Sequence, residues 1–355
     1  MELLHQSILA QFQLDTPALS CEPHGCGHIN KTYLVVTESG TKYILQKLSN
    51  RAFKNIDQLM ENVAAVSAYL RKQTDDPRRV LTLIPTKDSK PYYHHEADSD
   101  WRVYVFITDS ICLQSVDTPQ DFYESARAFG SFAQQLDGFP AETLYETIPN
   151  FHNTPDRYRI FKEVLAKDPM GRAKDVEAEI QFVLSREQEA GALVEQLNAG
   201  LLPLRVTHND TKLNNVMLDK DTRKPLCVVD LDTTMPGLIA YDFGDSIRFG
   251  ASTAAEDEKD LDKVWMDIEL FRTYTEGFLS ACPGLTEQER KTLPLGAKII
   301  TLECGLRFLT DYLDGDNYFG IHYPEQNLDR CRTQFKLVAD METKWEAMEK
   351  IVAEI

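Results

Sequence analysis

The segment Thr207-His208-Asn209-Asp210-Thr211-Lys212-Leu213-Asn214-Asn215 sets a carboxylate, an ammonium and an amide close together, and a second carboxylate, Asp230, follows 20 residues after Asp210. These residue types suit transfer of a phosphoryl group to a hydroxyl. That reaction asks for little covalent chemistry, but it needs a base for the attacking oxygen, ligands for a hard cation and positive charge against the phosphate. On this reading Asp210 accepts the hydroxyl proton, Lys212 offsets phosphate charge, and Asn215 with Asp230 holds Mg²⁺.

Such residues work only if the chain around them is held. The sequence from 204 to 231 reads as a loop, a short strand Val216-Met217-Leu218, a polar turn from Lys220 to Lys224, and a strand Leu226-Cys227-Val228-Val229-Asp230 that delivers Asp230 at its end. The spacing from Asp210 to Asn215 is that of the protein-kinase loop H-R-D-x-x-x-x-N, with Asn209 in place of the arginine. Strand alternation puts Asp232 on the same side as Asp230, where it could assist at the metal, although a surface turn is the more expected role. Asp242-Phe243-Gly244 spells a kinase metal motif, but it lies 32 residues after Asp210 and follows no hairpin. Asp242 is instead expected to begin a helix and to bond the backbone of the loop from beneath, with His208 as a bracing residue.

Upstream, Gly25-Cys26-Gly27-His28-Ile29-Asn30 carries the first two glycines of a G-x-G-x-x-G loop, with Asn30 in the third position. It runs into a strand rather than a helix, which excludes a Rossmann reading and leaves a phosphate cover, with Gly25 and Gly27 admitting backbone N–H groups to the anion. Thr32 to Thr37 and Lys42 to Leu48 form two strands around a turn at Ser39-Gly40, and residues 56 to 71 carry the three-and-four spacing of an amphipathic helix. In the second strand Gln46 stands where a phosphate-binding lysine is expected, and Lys47 points to the opposite face. Glu61 on the helix is read as a surface residue. Further strands are expected at 80–84 and 101–107, and helices along 122–136 and 177–198, the latter ending at Gly200. The expectation is an α+β, two-lobed fold: a small N-terminal antiparallel sheet lobe over 1–108 that binds nucleotide, and a larger, mostly helical lobe over 109–355 that carries catalysis and substrate binding.

A net charge of −18 argues against a nucleic-acid backbone or an anionic membrane as partner and favours a small diffusible substrate. Seven scattered cysteines without a C-x-x-C pair read as reduced thiols. With no basic, apolar leader and no run of 18 apolar residues, the expected location is the cytoplasm, and no protein partner is implied.

Taken together, the two lobes, the H-x-D-x-x-x-x-N loop and the later V-V-D resemble the aminoglycoside phosphotransferase and choline kinase superfamily, over nearly the whole chain. Longer strings, among them Gly27-His28-Ile29-Asn30, the run from Arg205 to Asn215, Asp230-Leu231-Asp232-Thr233, the run from Asp242 to Thr253 and Glu303 to Leu309, look like the N-acetylhexosamine 1-kinases within it. That resemblance implies a protein kinase-like fold, ATP and Mg²⁺ as cofactors, and phosphorylation of the C1 hydroxyl of N-acetylglucosamine or N-acetylgalactosamine. It also implies that a lysine is dispensable at Gln46, and that His28, Asn30, Arg307 and Tyr318 are the places to look for sugar contacts, beside Asp210. Arg307 would repel the cationic acceptors of the wider superfamily, for which an aromatic cage from Trp101, Trp265 and Trp345 is the rival arrangement. Two alternatives stay open: the same fold acting on another sugar, an amino alcohol or an aminoglycoside, and a nucleotide-binding pseudokinase, suggested by the missing lysine.

Overall fold

The structure is a computed structural model that describes residues 2–25, 30–50, 52–95 and 99–355. It divides into two compact units, one formed by 1–111, 138–149 and 217–235, the other by 112–137, 150–216 and 236–355.

The first unit is built on an antiparallel sheet. After helix α1 (Leu3–Leu9) come strands β1 (Ala18–Pro23), β2 (Lys31–Thr37) and β3 (Lys42–Lys47), then helix α2 (Ile56–Arg71), β4 (Leu83–Ile84), β5 (Tyr93–His95) and β6 (Ser99–Val105). The sheet order is β1-β2-β3-β6-β4, with β5 also on β6. The β2–β3 turn is tight because Gly40 takes φ +87°, a conformation that costs a side chain about 1 to 2 kcal/mol. Alternation sends Val35, Tyr43, Leu45, Trp101 and Val103 to one face, where they pack on Ile8, Leu9 and Phe12. α2 begins at Asn55, which accepts the Gln58 N–H, and buries Leu59, Met60, Val63, Val66 and Leu70. Its Asn62 donates to the carbonyls of Tyr145 and Thr234 and accepts the Tyr145 N–H, so it ties two distant segments of the unit to the helix. Glu61 is exposed, as expected. The strand expected over 80–84 shrinks to two residues, because Arg71 takes the Val80 carbonyl and the Thr82 hydroxyl and Thr82 turns its own hydroxyl onto Val80. Trp101 is a core residue, 1% exposed, and is no part of a ligand cage.

A small sheet places β9 (Val216–Asp219) between β10 (Pro225–Val228) and β7 (Ser110–Cys112). β8 (Arg205–Thr207) pairs with β11 (Met235–Gly237). Helices fill the second unit: α3 (Pro119–Gln135), α4 (Thr154–Lys167), α5 (Glu177–Leu184), α6 (Glu187–Ala190), α7 (Ala192–Asn198), α8 (Ile239–Gly250), α9 (Ile268–Ala281), α10 (Glu287–Asp314), α11 (Gln326–Thr343) and α12 (Trp345–Glu354). The single helix expected over 177–198 is three, broken where Arg186 and Ser185 both bond the Phe182 carbonyl and again at Gly191. α10 is the central helix, started by a capping box of Thr286 and Glu289 and ended at Gly315 with φ +99°. Its Leu302, Leu306, Leu309 and Leu313 belong to the same core as Leu328, Cys331, Phe335 and Val338 of α11. α8 approaches it closely at Gly244 and Gly296, where an added Cβ would lie 2.4 and 2.2 Å from backbone oxygens of the facing helix.

The described cysteines are free thiols. Among the described residues no helix is long and apolar enough to cross a membrane.

Candidate active site

The loop between β8 and β9 is shaped from below by α8. Asp242, in the first turn of that helix, accepts the backbone N–H groups of His208 and Asn209 at 2.8 and 2.7 Å, as its sequence position suggested. Thr211 is held at three points: its N–H bonds Asp245 at 3.0 Å, its hydroxyl bonds the Asp242 carbonyl, and its carbonyl accepts from Ser246. Asn209 takes φ +63°, a left-handed turn that asparagine tolerates better than most residues. His208 is fully buried beside the rings of Phe129 and Phe132, and its Nδ1 accepts the Asp210 N–H at 3.3 Å. It therefore braces the loop.

Within that frame Asp210 is gripped from both sides. Asn215 Nδ2 donates to the Asp210 main-chain carbonyl at 2.8 Å and to Oδ2 at 3.1 Å, and Lys212 Nζ lies 2.8 Å from Oδ1. Because the Asn215 amide nitrogen faces Asp210, its oxygen is the atom left to meet a hard cation. Asp210, with Asp245 behind it, raises the Lys212 ammonium above its ordinary value, so it stays charged. Burial pushes the Asp242 carboxyl up against the pull of His208 and the two N–H groups. Burial also opposes ionisation of Asp245, yet Arg248 and Lys212 hold it below the usual carboxylate range.

On α10, three residues one turn apart organise a second polar face of the same unit. Glu303, 1% exposed, accepts from Thr154 Oγ1 at 2.7 Å and pairs with His152 Nδ1 at 2.9 Å. Arg307 lies 5.1, 5.4 and 5.8 Å from the rings of Phe151, Phe319 and Tyr318. Asp311 receives the backbone N–H groups of Asn317, Tyr318 and Phe319 at 2.7 to 2.9 Å, which presents Tyr318 with 63% of its surface open. Sequence reading singled out Arg307 and Tyr318 but not Glu303 or Asp311, the second of which holds the backbone at Tyr318. The available signal was the i, i+4, i+8 spacing of Glu303, Arg307 and Asp311 on one helix.

In the first unit, Asp230 lies two residues beyond β10 and takes φ +60°, ψ 59°, so it does not close a strand as expected. The alternation argument for Asp232 fails with it. Leu231–Thr233 is a single helical turn, and Asp232 is 3% exposed rather than on a surface turn. Asn30 Nδ2 donates to Asp232 Oδ2 at 2.7 Å while its own oxygen accepts the Ser49 N–H at 3.0 Å. Gln46 faces as expected, donating to Thr32 Oγ1, and Lys47 on the other face lies 5.8 Å from the Trp101 ring. Gly25 takes φ +75° with open space where a Cβ would stand, while Gly27 and His28 lie outside the described residues. Among the described residues no group of three or more His, Cys, Asp or Glu could hold a metal ion by itself. An amide oxygen and a carboxylate nevertheless fit Mg²⁺, which ordinarily takes one or two protein oxygens and completes its shell with phosphate and water.

Residues 20–265 match the model of the phosphotransferase enzyme family. The chain belongs to that family. It is similar in fold to a microcompartment-associated aminopropanol kinase (19% identity, covering 98% of each chain, TM-score 0.68). The aminoglycoside phosphotransferase of Alicyclobacillus acidocaldarius is also similar, at 14% identity, covering 100% of this chain and 98% of that one, with TM-score 0.64. So is the amicoumacin kinase hAmiN in complex with AMP-PNP and Ca²⁺, at 14% identity, covering 94% and 92%, with TM-score 0.61. The sheet unit and helical unit are thus those of a kinase-like phosphotransferase, as the sequence implied.

Proposed function

We propose that this phosphotransferase is an ATP-dependent kinase that phosphorylates the anomeric hydroxyl of an N-acetylhexosamine, releasing the sugar 1-phosphate. The observation that carries the phosphoryl-transfer reading is the Asp210 carboxylate held between the Asn215 amide and the Lys212 ammonium. Asp210 takes the proton of the sugar hydroxyl as its oxygen attacks the terminal phosphorus of ATP, while the bond from that phosphorus to the bridging oxygen breaks and ADP leaves with its electron pair. The fixed loop supplies the orientation on which most of this catalysis depends. Lys212 exchanges part of its contact with Asp210 for the transferring phosphoryl oxygens. Asn215 and Asp230 would hold Mg²⁺, which supplies positive charge against the phosphates when bound. The assignment is supported by chain order: the β9–β10 hairpin begins directly after Asn215 and ends two residues before Asp230. Gly25 would admit backbone N–H groups to the phosphates, with Gln46 on the nucleotide side.

The acceptor reading rests on Arg307 and Tyr318; Asn30, buried and bonded to Asp232 and to the Ser49 N–H, braces the first unit instead of meeting the sugar. An arginine whose guanidinium lies among three aromatic rings disfavours choline-like and aminoglycoside cations, and the exposed Tyr318 ring suits the apolar face of a neutral sugar. An ADP-release screen with N-acetylglucosamine, N-acetylgalactosamine, glucose, choline, aminopropanol and kanamycin tests it. The N-acetylhexosamines are expected to give the highest kcat/KM. Turnover confined to the amine-bearing acceptors would reject the sugar reading while leaving the kinase intact, and ATP-dependent stabilisation without turnover on any acceptor would point to a pseudokinase.

A further inference from the structure

No lysine stands at position 46, yet the same spot on the sheet is not without a cation. Gln46 is the cross-strand partner of Arg102 on β6. Arg102 Nε donates to Gln46 Oε1 at 2.9 Å, while Nη1 and Nη2 make a fork on Asp232, at 2.5 Å to Oδ1 and 3.0 Å to Oδ2. Both partners are buried, Arg102 at 1% and Asp232 at 3% exposure. The capacity left over is taken as well. Asn30 donates to Asp232 Oδ2, Thr147 Oγ1 donates to the Asp232 carbonyl, Met60 Sδ sits 3.7 Å from Nη1, and the Tyr104 ring lies 5.0 Å from the guanidinium.

Burying an ion pair is a poor way to gain stability, since hydrophobic residues of similar volume often do as well or better. What a forked pair supplies is a fixed geometry. The geometry fixed here is that of the turn after Asp230. Asp232 is clamped through both its side chain and its carbonyl, two residues beyond Asp230, which itself occupies the left-handed region that few residues besides glycine, asparagine and aspartate enter. Such a conformation persists only where its surroundings over-determine it. Arg102 is too deeply buried and too fully engaged to serve as a phosphate ligand in its own right.

We propose that Arg102 is a positioning residue for Asp230: acting through Asp232, and steadied by Gln46 and Asn30, it aims the Asp230 carboxylate and so sets the affinity of the metal–nucleotide site. It achieves by preorganisation what a lysine at position 46 would achieve by direct charge. The inference rests on the reading of Asp230 as a metal ligand.

Two variants and one control test it, with Mn²⁺ as the probe and its electron paramagnetic resonance in the presence of ADP as the readout. Arg102→Lys keeps the charge but loses the fork. The double variant Arg102→Met/Asp232→Leu removes the ion pair without stranding a buried charge, and it keeps the test open if the lysine variant does not fold. In whichever variant folds, the Mn²⁺ Kd is expected to rise tenfold or more, as is the Mg²⁺ concentration giving half-maximal rate. KM for the acceptor should stay within twofold, a split that a general loosening of the fold would not produce. Mn²⁺ binding within twofold of the parent in a folded variant overturns the proposal. In the control, Asp230→Ala, lost binding together with unchanged Arg102 variants shows that the positioning role alone is wrong. Unchanged binding in Asp230→Ala shows that the metal-ligand reading beneath it has failed.

Discussion

On the proposed reading Asp210 is the base, anchored by two partners of which one can be displaced. Asn215 holds one carboxylate oxygen and the main chain, and Lys212 holds the other oxygen through a side chain that is about a third exposed and can be drawn away by a phosphate. Asp210→Asn keeps the shape and removes the basicity. It should lower kcat by about 10² to 10⁴ with little change in the acceptor KM, and a variant with more than half the parental kcat would remove Asp210 from the mechanism. Asp230→Ala should abolish turnover at millimolar Mg²⁺, and an unchanged magnesium dependence would show that another residue binds the metal. At this scale the sequence was most legible where partners are neighbours: Asp210, Lys212 and Asn215 fall within six positions and share one loop. It was silent on Arg102 and misjudged Asp232, two residues that lie 130 positions apart and pair only through the fold. The one clue was an arginine inside the run Trp101-Arg102-Val103-Tyr104-Val105, every one of whose first four residues is buried.

At the scale of elements, the loop between β8 and β9 inherits its shape from α8, and α8 packs closely on α10. Gly296→Ala would bring a methyl group to 2.2 Å from the Ala240 carbonyl oxygen, so α8 must retreat and take Asp242 and Asp245 with it. We expect a loss of about 1 to 3 kcal/mol in stability by chemical denaturation and a fall in kcat from misplacement of the loop. An alanine variant as stable and active as the parent would mean that the two helices are not coupled to the loop. The β9–β10 turn gives a pH-dependent expectation. Thr222, through its N–H and its hydroxyl, together with Arg78, lowers the Asp219 carboxyl from 3.8 to about 2. A carboxyl lowered in the folded state stabilises it above the unfolded value near 3.8, and loses that contribution as pH falls towards about 2. The stability difference between the parent and Asp219→Asn should therefore be constant above about pH 5 and shrink on acidification. A difference independent of pH would contradict it. Elements read from periodicity were found where one face is apolar and the turn is local, as with α2 and the β2–β3 hairpin. They were misjudged where a side chain competes for the backbone, as Arg186 and Arg71 do at the break after α5 and before β4. The left-handed turn at Asp230 left no trace in alternation, and the residue that holds Asp232 just beyond it comes from β6, far away in sequence.

Across the whole molecule, the sheet unit and the helical unit follow from composition and pattern, and the family match over residues 20–265 agrees with them. Segments 138–149 and 217–235 pack in the first unit although they follow long stretches of the second, and no local signal marks such returns. With a net charge of −18, the chain is expected to receive a polyphosphate only together with a divalent cation. ADP should therefore raise the melting temperature only with Mg²⁺ present, by the equivalent of about 2.7 kcal/mol at a hundred times Kd. An equal rise in EDTA would show nucleotide binding without the metal. The most direct test of the account is ³¹P NMR of a mixture of enzyme, ATP, Mg²⁺ and N-acetylglucosamine or N-acetylgalactosamine. It predicts ADP together with a phosphomonoester signal split by the anomeric proton, and neither signal with Asp210→Asn on the same time scale. A phosphate attached elsewhere than C1, ADP formed only with amine-bearing acceptors, or the same product at a parental rate from Asp210→Asn would contradict it.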